Sequence, residues 1–350
     1  MIEVDGSYGE GGGQIIRTAV SLSALTEKPV HIFNIRANRQ PPGLKAQHLT
    51  GVNAVASICN AKVTGTEMGS TELTFQPGEI KGGTYEWDIG TAGSIPLVLQ
   101  ALMPALLFSK KEFSISIIGG TNVKTSPPID YFQHIFCDYI AKMGAKIKLE
   151  IKRYGFYPKG GGVVKLRVEP TGLTPIEIIE RGELKQTDIQ DSIASKDLEK
   201  AHVAERQVNG FKKEFGESKY KKTFTKYVDT FSTGSSIHAH NSYENCKIGS
   251  EALGERGKPA EEVGSECAKK LKKEISYDST LDTHMLDQII PYMAMLGGKF
   301  KFGEITSHAK TNIWVTEKFI PVKFNLENNM ITVEKLENED AGSIGNRRRF

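Results

Sequence analysis

The sequence predicts an α/β fold of layered helices and sheets. It is built from three packed βαβαββ-like repeats with pseudo-threefold symmetry, plus a smaller inserted α/β domain. Three observations predict it. Helical spacing and strand alternation take turns along the 350 residues,. The order strand, glycine loop, helix, strand, helix, strand, strand recurs, and similar units with two helices on one sheet face imply stacked repeats. Between about Gly182 and Ser276 the composition turns rich in lysine and glutamate and interrupts the third copy. The domains expected are therefore 1–181 with 277–350 as one discontinuous three-repeat unit, and 182–276 as the insert.

The first copy opens with a strand, Ile2 to Val4, then a glycine loop and a helix from Gln14 to Leu25. A strand (Val30 to Ile35), a helix (Leu44 to Cys59), the short strand Ala61-Lys62-Val63, a turn at Gly69 and the strand Glu72 to Phe75 complete it. The second copy matches: strand Tyr85 to Ile89, loop Gly90-Thr91-Ala92-Gly93, helix Ser94 to Leu107, strand Glu112 to Ile118 and helix Asp130 to Met143. Ala145-Lys146-Ile147, a Gly-rich turn and the strand Val163 to Val168 follow. Pro41-Pro42 and Pro127-Pro128 precede the two second helices, and Ala-Lys-(Val/Ile) follows both. The third copy is degenerate: helix Met285 to Leu296, strand Phe300 to Ile305, helix Thr311 to Phe319, and strands Val322 to Phe324 and Met330 to Val333. Inside the insert, Ser195 to Val208 and Pro259 to Glu274 read as polar helices, with strands at Leu184 to Ile189, Thr223 to Val228 and Ser236 to Asn241. The tail Asn346-Arg347-Arg348-Arg349-Phe350 is expected to fray.

With 39% hydrophobic and 25% charged residues the chain has the composition of an ordinary globular protein that buries a sizeable core,. A net charge of +3 excludes a strongly basic whole-molecule field, so any basic surface is local, and Arg36, Arg39 and Lys45 are its clearest candidates,. Cys59, Cys137, Cys246 and Cys267 stand too far apart for a short-spaced zinc motif, and the first two fall in apolar helical runs,. Met1-Ile2-Glu3-Val4-Asp5 reads as a strand rather than a leader, and no apolar run reaches membrane-spanning length,. The expectation is a cytoplasmic protein with reduced thiols and no membrane partner.

The glycine loop between Gly6 and Gly13 carries the chemistry. Glycines let a ligand approach backbone N–H groups, and the helix N-terminus that follows favours anions. Glu10, Gln14 and Arg17 share its mouth, the last two on one helix face. An acid and a base at such a turn suggest metal-assisted phosphate chemistry. Lys159-Gly160-Gly161-Gly162 lacks the P-loop spacing and reads as a hairpin turn,. His238 and His240 fall on one face of a strand and read as structural rather than as metal ligands. Glu3 stands where a ligase motif Lys-x-Asp-Gly would need its lysine, which argues against a lysine-adenylate ligase.

Taken together, Asp5-Gly6-Ser7-x-x-Glu10-Gly11-Gly12-Gly13-Gln14-x-x-Arg17 and Ile35-Arg36-Ala37-x-Arg39-x-x-Pro42-Gly43-Leu44-x-x-Gln47-His48 resemble the RNA 3′-terminal phosphate cyclase family. Gly90-Thr91-Ala92-Gly93-Ser94, Gly119-Gly120-Thr121, Gly160-Gly161-Gly162, Leu286-Asp287-Gln288 and His308-x-x-Thr311-Asn312 extend the resemblance along nearly the whole chain. It implies repeats like the C-terminal domain of translation initiation factor three, with a small inserted domain. The enolpyruvyl transferases share a repeat-like architecture, so fold alone does not fix chemistry.

The resemblance implies ATP as cosubstrate, Mg²⁺ or Mn²⁺ as metal, and an RNA ending in a 3′-phosphate as partner; it leaves a homodimer open. A histidine takes AMP from ATP, AMP passes to the RNA 3′-phosphate, and the vicinal 2′-hydroxyl closes a 2′,3′-cyclic phosphodiester with release of AMP. By the same resemblance His308 is the nucleophile, Arg17, Arg36 and Arg39 clamp phosphates, and Gln47 and His48 complete the pocket. Glu10 is the metal carboxylate, and Gln100, Pro127 and Pro128 contact nucleotide. His284, Met285, Leu286, Asp287 and Gln288 start a helix against the adenosine. The family commonly has an aromatic at the position of His284, so nucleotide selectivity is open here. Met285 also falls with Ile289 and Met293 on that helix's core face. Two alternatives stand beside this: a non-catalytic cyclase-like RNA-binding factor of ribosome assembly, a branch that loses the nucleophilic histidine, and an enolpyruvyl transferase.

Overall fold

The computed structural model describes residues 1–216 and 220–336, and the tail at Asn346–Phe350 lies outside the described residues. Alternating apolar side chains make the first repeat's strands: β1 (Ile2–Asp5), β2 (Val30–Phe33), β3 (Lys62–Thr64) and β4 (Leu73–Gln76). Its helices are α1 (Gly13–Thr26) and α2 (Ala46–Cys59). The second repeat holds β5 (Gly83–Asp88), α3 (Ile95–Phe108), β6 (Phe113–Gly119), α4 (Ile129–Tyr131), a π-helical turn Phe132–Phe136, α5 (Cys137–Lys142), β7 (Lys146–Arg153) and β8 (Gly162–Glu169). The third begins at β9 (Glu177–Ile178). The chain then makes β10 (Leu184–Ser195), a 3₁₀ turn Lys196–Ala201, α6 (Val203–Phe215), β11 (Tyr220–Val228), β12 (Ser235–Tyr243), β13 (Lys247–Leu253) and α7 (Ala260–Ser276). It returns through α8 (Thr283–Leu296), β14 (Lys299–Lys301), α9 (Ser307–Phe319), β15 (Val322–Glu327) and β16 (Met330–Lys335).

Three sheets share one connectivity. Their orders are β1-β2-β4-β3, β5-β6-β8-β7 and β9-β14-β16-β15, that is, first, second, fourth and third strand each time. In each the first two strands are parallel and the other pairings antiparallel. This is the α/β class the sequence predicts. A fourth sheet, β11-β10-β12-β13, lies in the segment between β9 and α8, with α6 and α7 packed together on it. The helices of the repeats form a shared inner layer in which α1 packs on α3 and α9, α2 on α3, and α8 on α9. Helix α3 is apolar almost all round, from Ile95 to Leu107, and accordingly buried on nearly every side,.

Several expectations are corrected. β9 escapes sequence reading because two residues show no alternation. The strand expected over Phe300 to Ile305 shrinks to Lys299–Lys301, where its pairing with β16 ends. The helix expected from Ser195 starts at Val203, because β10 runs on to Ser195 and stays paired with β12. β13, a fourth strand of that sheet, was not foreseen.

Gly13, at the start of α1, is fixed by space rather than by backbone angle. A Cβ there would stand 2.1 Å from His48 Nε2. His48 is buried, and its Nδ1 accepts from the Lys45 N–H at 3.1 Å, so the ring is tied. Gly13→Ala should lower stability by about 1–3 kcal/mol through overpacking. In a His48→Ala background the same change should cost little. Melting curves of the two pairs check this, and equal losses in both backgrounds would refute the clash.

Candidate active site

The N-terminal ends of α1, α8 and α9 point into one cavity of about 790 Å³. α3, the 124–128 loop and the β13–α7 side of the fourth sheet close it. Of the residues singled out in the sequence, Glu10, Arg17, Arg39, Gln100, Pro127, Pro128, His284, Asp287, Gln288 and His308 lie on its wall. Gln14 of the loop mouth and Asn312 of the His308 motif lie there too, and Thr18 joins them. Arg36, Gln47, His48, Met285 and Leu286 do not line it.

His308 lies inside a helix rather than ahead of one. Thr306 caps α9 by accepting from the Ala309 N–H at 2.8 Å, so the helix starts at Ser307 and His308 belongs to its first turn,. There the unpaired N–H groups and the helix dipole favour negative charge. Its Nε2 is 3.7 Å from Glu10 Oε2. Burial, together with Arg17, Arg39 and His284, lowers the imidazole pKa against the opposing pull of Glu10. The ring is thus favoured in its neutral form, which has a lone pair to offer. Glu10 accepts from the Ser307 hydroxyl and from Arg39 Nη2 at 3.1 Å, and its pKa is lowered, first by the Ser307 bond.

The three helix ends are bonded into one frame. Pro291 inside α8 has no N–H, so the Asp287 carbonyl four residues back lacks its helical donor,. Asn312 Nδ2 supplies one at 2.6 Å, and Asn312 Oδ1 accepts from the Thr18 hydroxyl at 2.6 Å. Thr306 Oγ1 donates to Asp287 Oδ1, and Gln14 Nε2 donates to the His308 carbonyl at 3.0 Å. The first and third repeats therefore hold the His308 segment from both sides. Asp282 caps α8, accepting from the Met285 N–H at 2.9 Å, the Gly249 N–H at 3.0 Å and the Tyr131 hydroxyl, and burial pushes its pKa up to about 6.

His284 has a partner that sequence reasoning missed. Its Nε2 is 3.1 Å from Oε1 of Glu251 on β13, and the Tyr131 ring meets it edge-on. Burial opposes its protonation, but Glu251, with Asp282 and Asp287, outweighs that and lifts the pKa to about 9. Burial also raises Asp287 to about 7. Lys124, Glu255, Glu266 and Lys270 add further charge to this side of the cavity. Nothing in the local sequence marks Glu251, because its role depends on a contact between β13 and α8.

The arginines separate into two kinds. Arg17 has no hydrogen bond or ion pair among the described residues, and burial lowers its pKa to about 10. Arg39 pairs with Glu10 and is half exposed. Arg36 is buried; its Nη1 donates to the carbonyls of Pro41 at 3.0 Å and Gly43 at 2.8 Å. It shapes the 36–43 loop instead of facing the cavity. Gln47 Oε1 accepts from the Ser94 N–H at 3.0 Å, tying the first repeat to the second. Burial beside Arg17, Arg36 and Lys45 drives the His48 pKa down to about 3. Met285 and Leu286 are core residues of α8.

Two other motifs resolve. The 159–162 run turns between β7 and β8. His238 and His240 are buried against His134, with ring centroids 5.8 and 6.0 Å from it, and burial drives both pKa values well down. Among the described residues no group of three or more His, Cys, Asp or Glu is placed to hold a metal ion. No helix among them is long and apolar enough to cross a membrane.

The sequence model of the RNA 3′-terminal phosphate cyclase family matches residues 8–326. A Methanosarcina barkeri protein named RNA 3′-terminal phosphate cyclase is 46% identical over 93% of this chain and 97% of its own length. Proteins of the same name from Pyrococcus furiosus and Archaeoglobus fulgidus are 45% and 42% identical, over 93% and 95% of this chain and 95% and 100% of theirs.

Proposed function

The chain belongs to the RNA 3′-terminal phosphate cyclase family, and from that premise we propose that the shared cavity is where its ATP-dependent chemistry takes place. The enzyme uses ATP to convert an RNA 3′-terminal phosphate to a 2′,3′-cyclic phosphodiester. The observation that carries the site assignment is the placing of His308 in the first turn of α9, 3.7 Å from Glu10 Oε2, with Arg17 and Arg39 on the wall of the same cavity of about 790 Å³.

The steps assigned to these residues balance. The His308 lone pair attacks the α-phosphorus of ATP, a P–N bond forms, the bond to the β-phosphate oxygen breaks and pyrophosphate leaves. An oxygen of the RNA 3′-phosphate then attacks the same phosphorus and the P–N bond breaks. The terminal 2′-hydroxyl finally attacks the RNA phosphorus, its proton is lost, and AMP departs. Each attack is on a phosphorus already held in place, so proximity supplies much of the rate. The α9 dipole and Arg17 oppose the charge that grows on the α-phosphate oxygens. Pro127 and Pro128, with Gln100 across the cavity, offer the apolar and polar surface a base needs.

For the metal, the cavity offers one carboxylate next to the nucleophile, Glu10, whose lowered pKa keeps it ionised. That donor set suits Mg²⁺ or Mn²⁺, which take one or two carboxylates and draw their other ligands from phosphates and water. Bound there, the ion would neutralise triphosphate charge; Glu10, whose Oε1 now accepts from Ser307 and whose Oε2 accepts from Arg39, would hold it through its carboxylate.

The retention of His308 favours this over the non-catalytic branch. An enolpyruvyl transferase would place no demand on that residue. We further assign 182–276 to an inserted unit and place the protein in the cytoplasm.

A pH profile tests the neutral nucleophile. In kcat/KM for AMP transfer from ATP to the enzyme, which reports the free enzyme, the acid limb of His308 should lie below its ordinary 6.5. Glu10→Gln removes the one charge that raises that pKa, so the limb should move lower still, read at saturating metal. A limb at or above 6.5, unmoved by Glu10→Gln, contradicts the assignment.

A further inference from the structure

The glycine loop does more than reach the nucleophile. It lies along one stripe of α9, where Ser307, Thr311, Trp314 and Lys318 follow at helical spacing,. Glu10 takes the Ser307 hydroxyl, and Gly9 presses so close that a Cβ would stand 3.0 Å from Thr311 Oγ1. Tyr8 lies flat on Trp314, with centroids 3.9 Å apart and planes 6° from parallel. Lys318 Nζ sits 4.6 Å from the Trp314 centroid. Lys310, exposed, is one turn before Trp314 as Lys318 is one turn after it. Tyr8 is 42% exposed, and among the described residues Trp314 is the only aromatic ring it touches.

We propose that Tyr8 on Trp314 is a stacking platform for a base just inside the 3′-terminal phosphate of the RNA substrate, with Lys310 and Lys318 taking the neighbouring phosphates. The proposal rests on the site assignment above, since it needs the RNA end at His308. Trp314 lies six positions after His308 on α9, a rise of about 9 Å along the helix,. A strand whose terminal phosphate meets His308 therefore brings its last bases to the tyrosine. Every base has a π-face, so a stacked aromatic pair with flanking cations binds a strand end with little regard to sequence. The same short loop carries Glu10 and Tyr8, so chemistry and end recognition are set by one segment.

The chain has two tryptophans. Trp87→Phe leaves Trp314 as the single reporter. Titration with a short RNA ending in a 3′-phosphate, without ATP, should change Trp314 emission saturably. Tyr8→Ala should weaken that binding, and raise the KM for RNA, by about 5–150-fold, the range for losing one stacked base. Tyr8→Phe should keep both, and AMP loading from ATP alone should be unchanged in all three proteins. An abasic nucleotide at the platform position should cost a similar factor in wild type and little more in Tyr8→Ala. RNA that binds without altering Trp314 emission, or binds Tyr8→Ala equally well, overturns the platform. So does a loss of AMP loading in Tyr8→Ala as large as its loss of cyclisation, since that marks a purely structural role. Failure of wild type to take label from ATP would instead overturn the assignment of the site, because the emission change is read without ATP.

Discussion

His308→Ala should take no label from ATP radiolabelled at the α-phosphate. Cyclisation of a 3′-phosphate RNA should fall with it, by about 10⁴-fold or more, as when a covalent nucleophile is removed. No other side chain substitutes, because none combines the same position with a neutral lone pair. His284 is the rival histidine on the cavity wall, but Glu251 lifts its pKa to about 9, so near neutral pH it carries a proton where a nucleophile needs a lone pair. His284→Ala should therefore reduce labelling without abolishing it. The wild-type label should be acid-labile and alkali-stable, as a P–N bond requires. Label lost with His284 and kept without His308 would mean that the wrong histidine has been chosen. No label on any folded protein would move the chain to the non-catalytic branch.

The repeats were legible because their signals are local. Alternation marks β5 to β8, and the apolar run from Ile95 to Leu107 marks a helix buried on nearly all sides. What failed to show was whatever depends on a partner distant in sequence. β9 is a strand only because β14 lies beside it. The π-helical turn at Phe132–Phe136 leaves the apolar spacing of its helix intact, so periodicity passes over it. The early start of α9 was readable in principle: Thr306 is a capping residue ahead of Ser307, and the helix expected from Thr311 ignored it,.

The site divides along the same line. Residues carried by element ends, such as Glu10, Arg17 and His308, are on the cavity wall. Arg36 reads like its neighbour Arg39 in sequence, but its backbone adopts φ 53°, and its guanidinium closes on the carbonyls of its own loop. Glu251 was invisible because only the packing of β13 against α8 puts it beside His284.

Arg17→Met should separate stability from activity. The arginine is a cation held partly out of water, with no anionic partner among the described residues, and its pKa is lowered to about 10 by burial. Folding gains nothing from such a charge; a substrate phosphate would neutralise it. Methionine keeps the length and apolar stem and deletes the charge. The melting temperature should therefore hold or rise, since exchanging a buried unpaired charge for an apolar group of similar size is neutral to stabilising. AMP loading and cyclisation should drop by about 10²–10³-fold, the range for removing one donor from developing oxyanion charge. Arg17→Lys should recover only part of the rate, because an ammonium gives a point charge without the fork. Calorimetry and single-turnover labelling on the same preparations decide it. A clear fall in melting temperature together with normal labelling would make Arg17 a structural residue and remove it from the phosphate site.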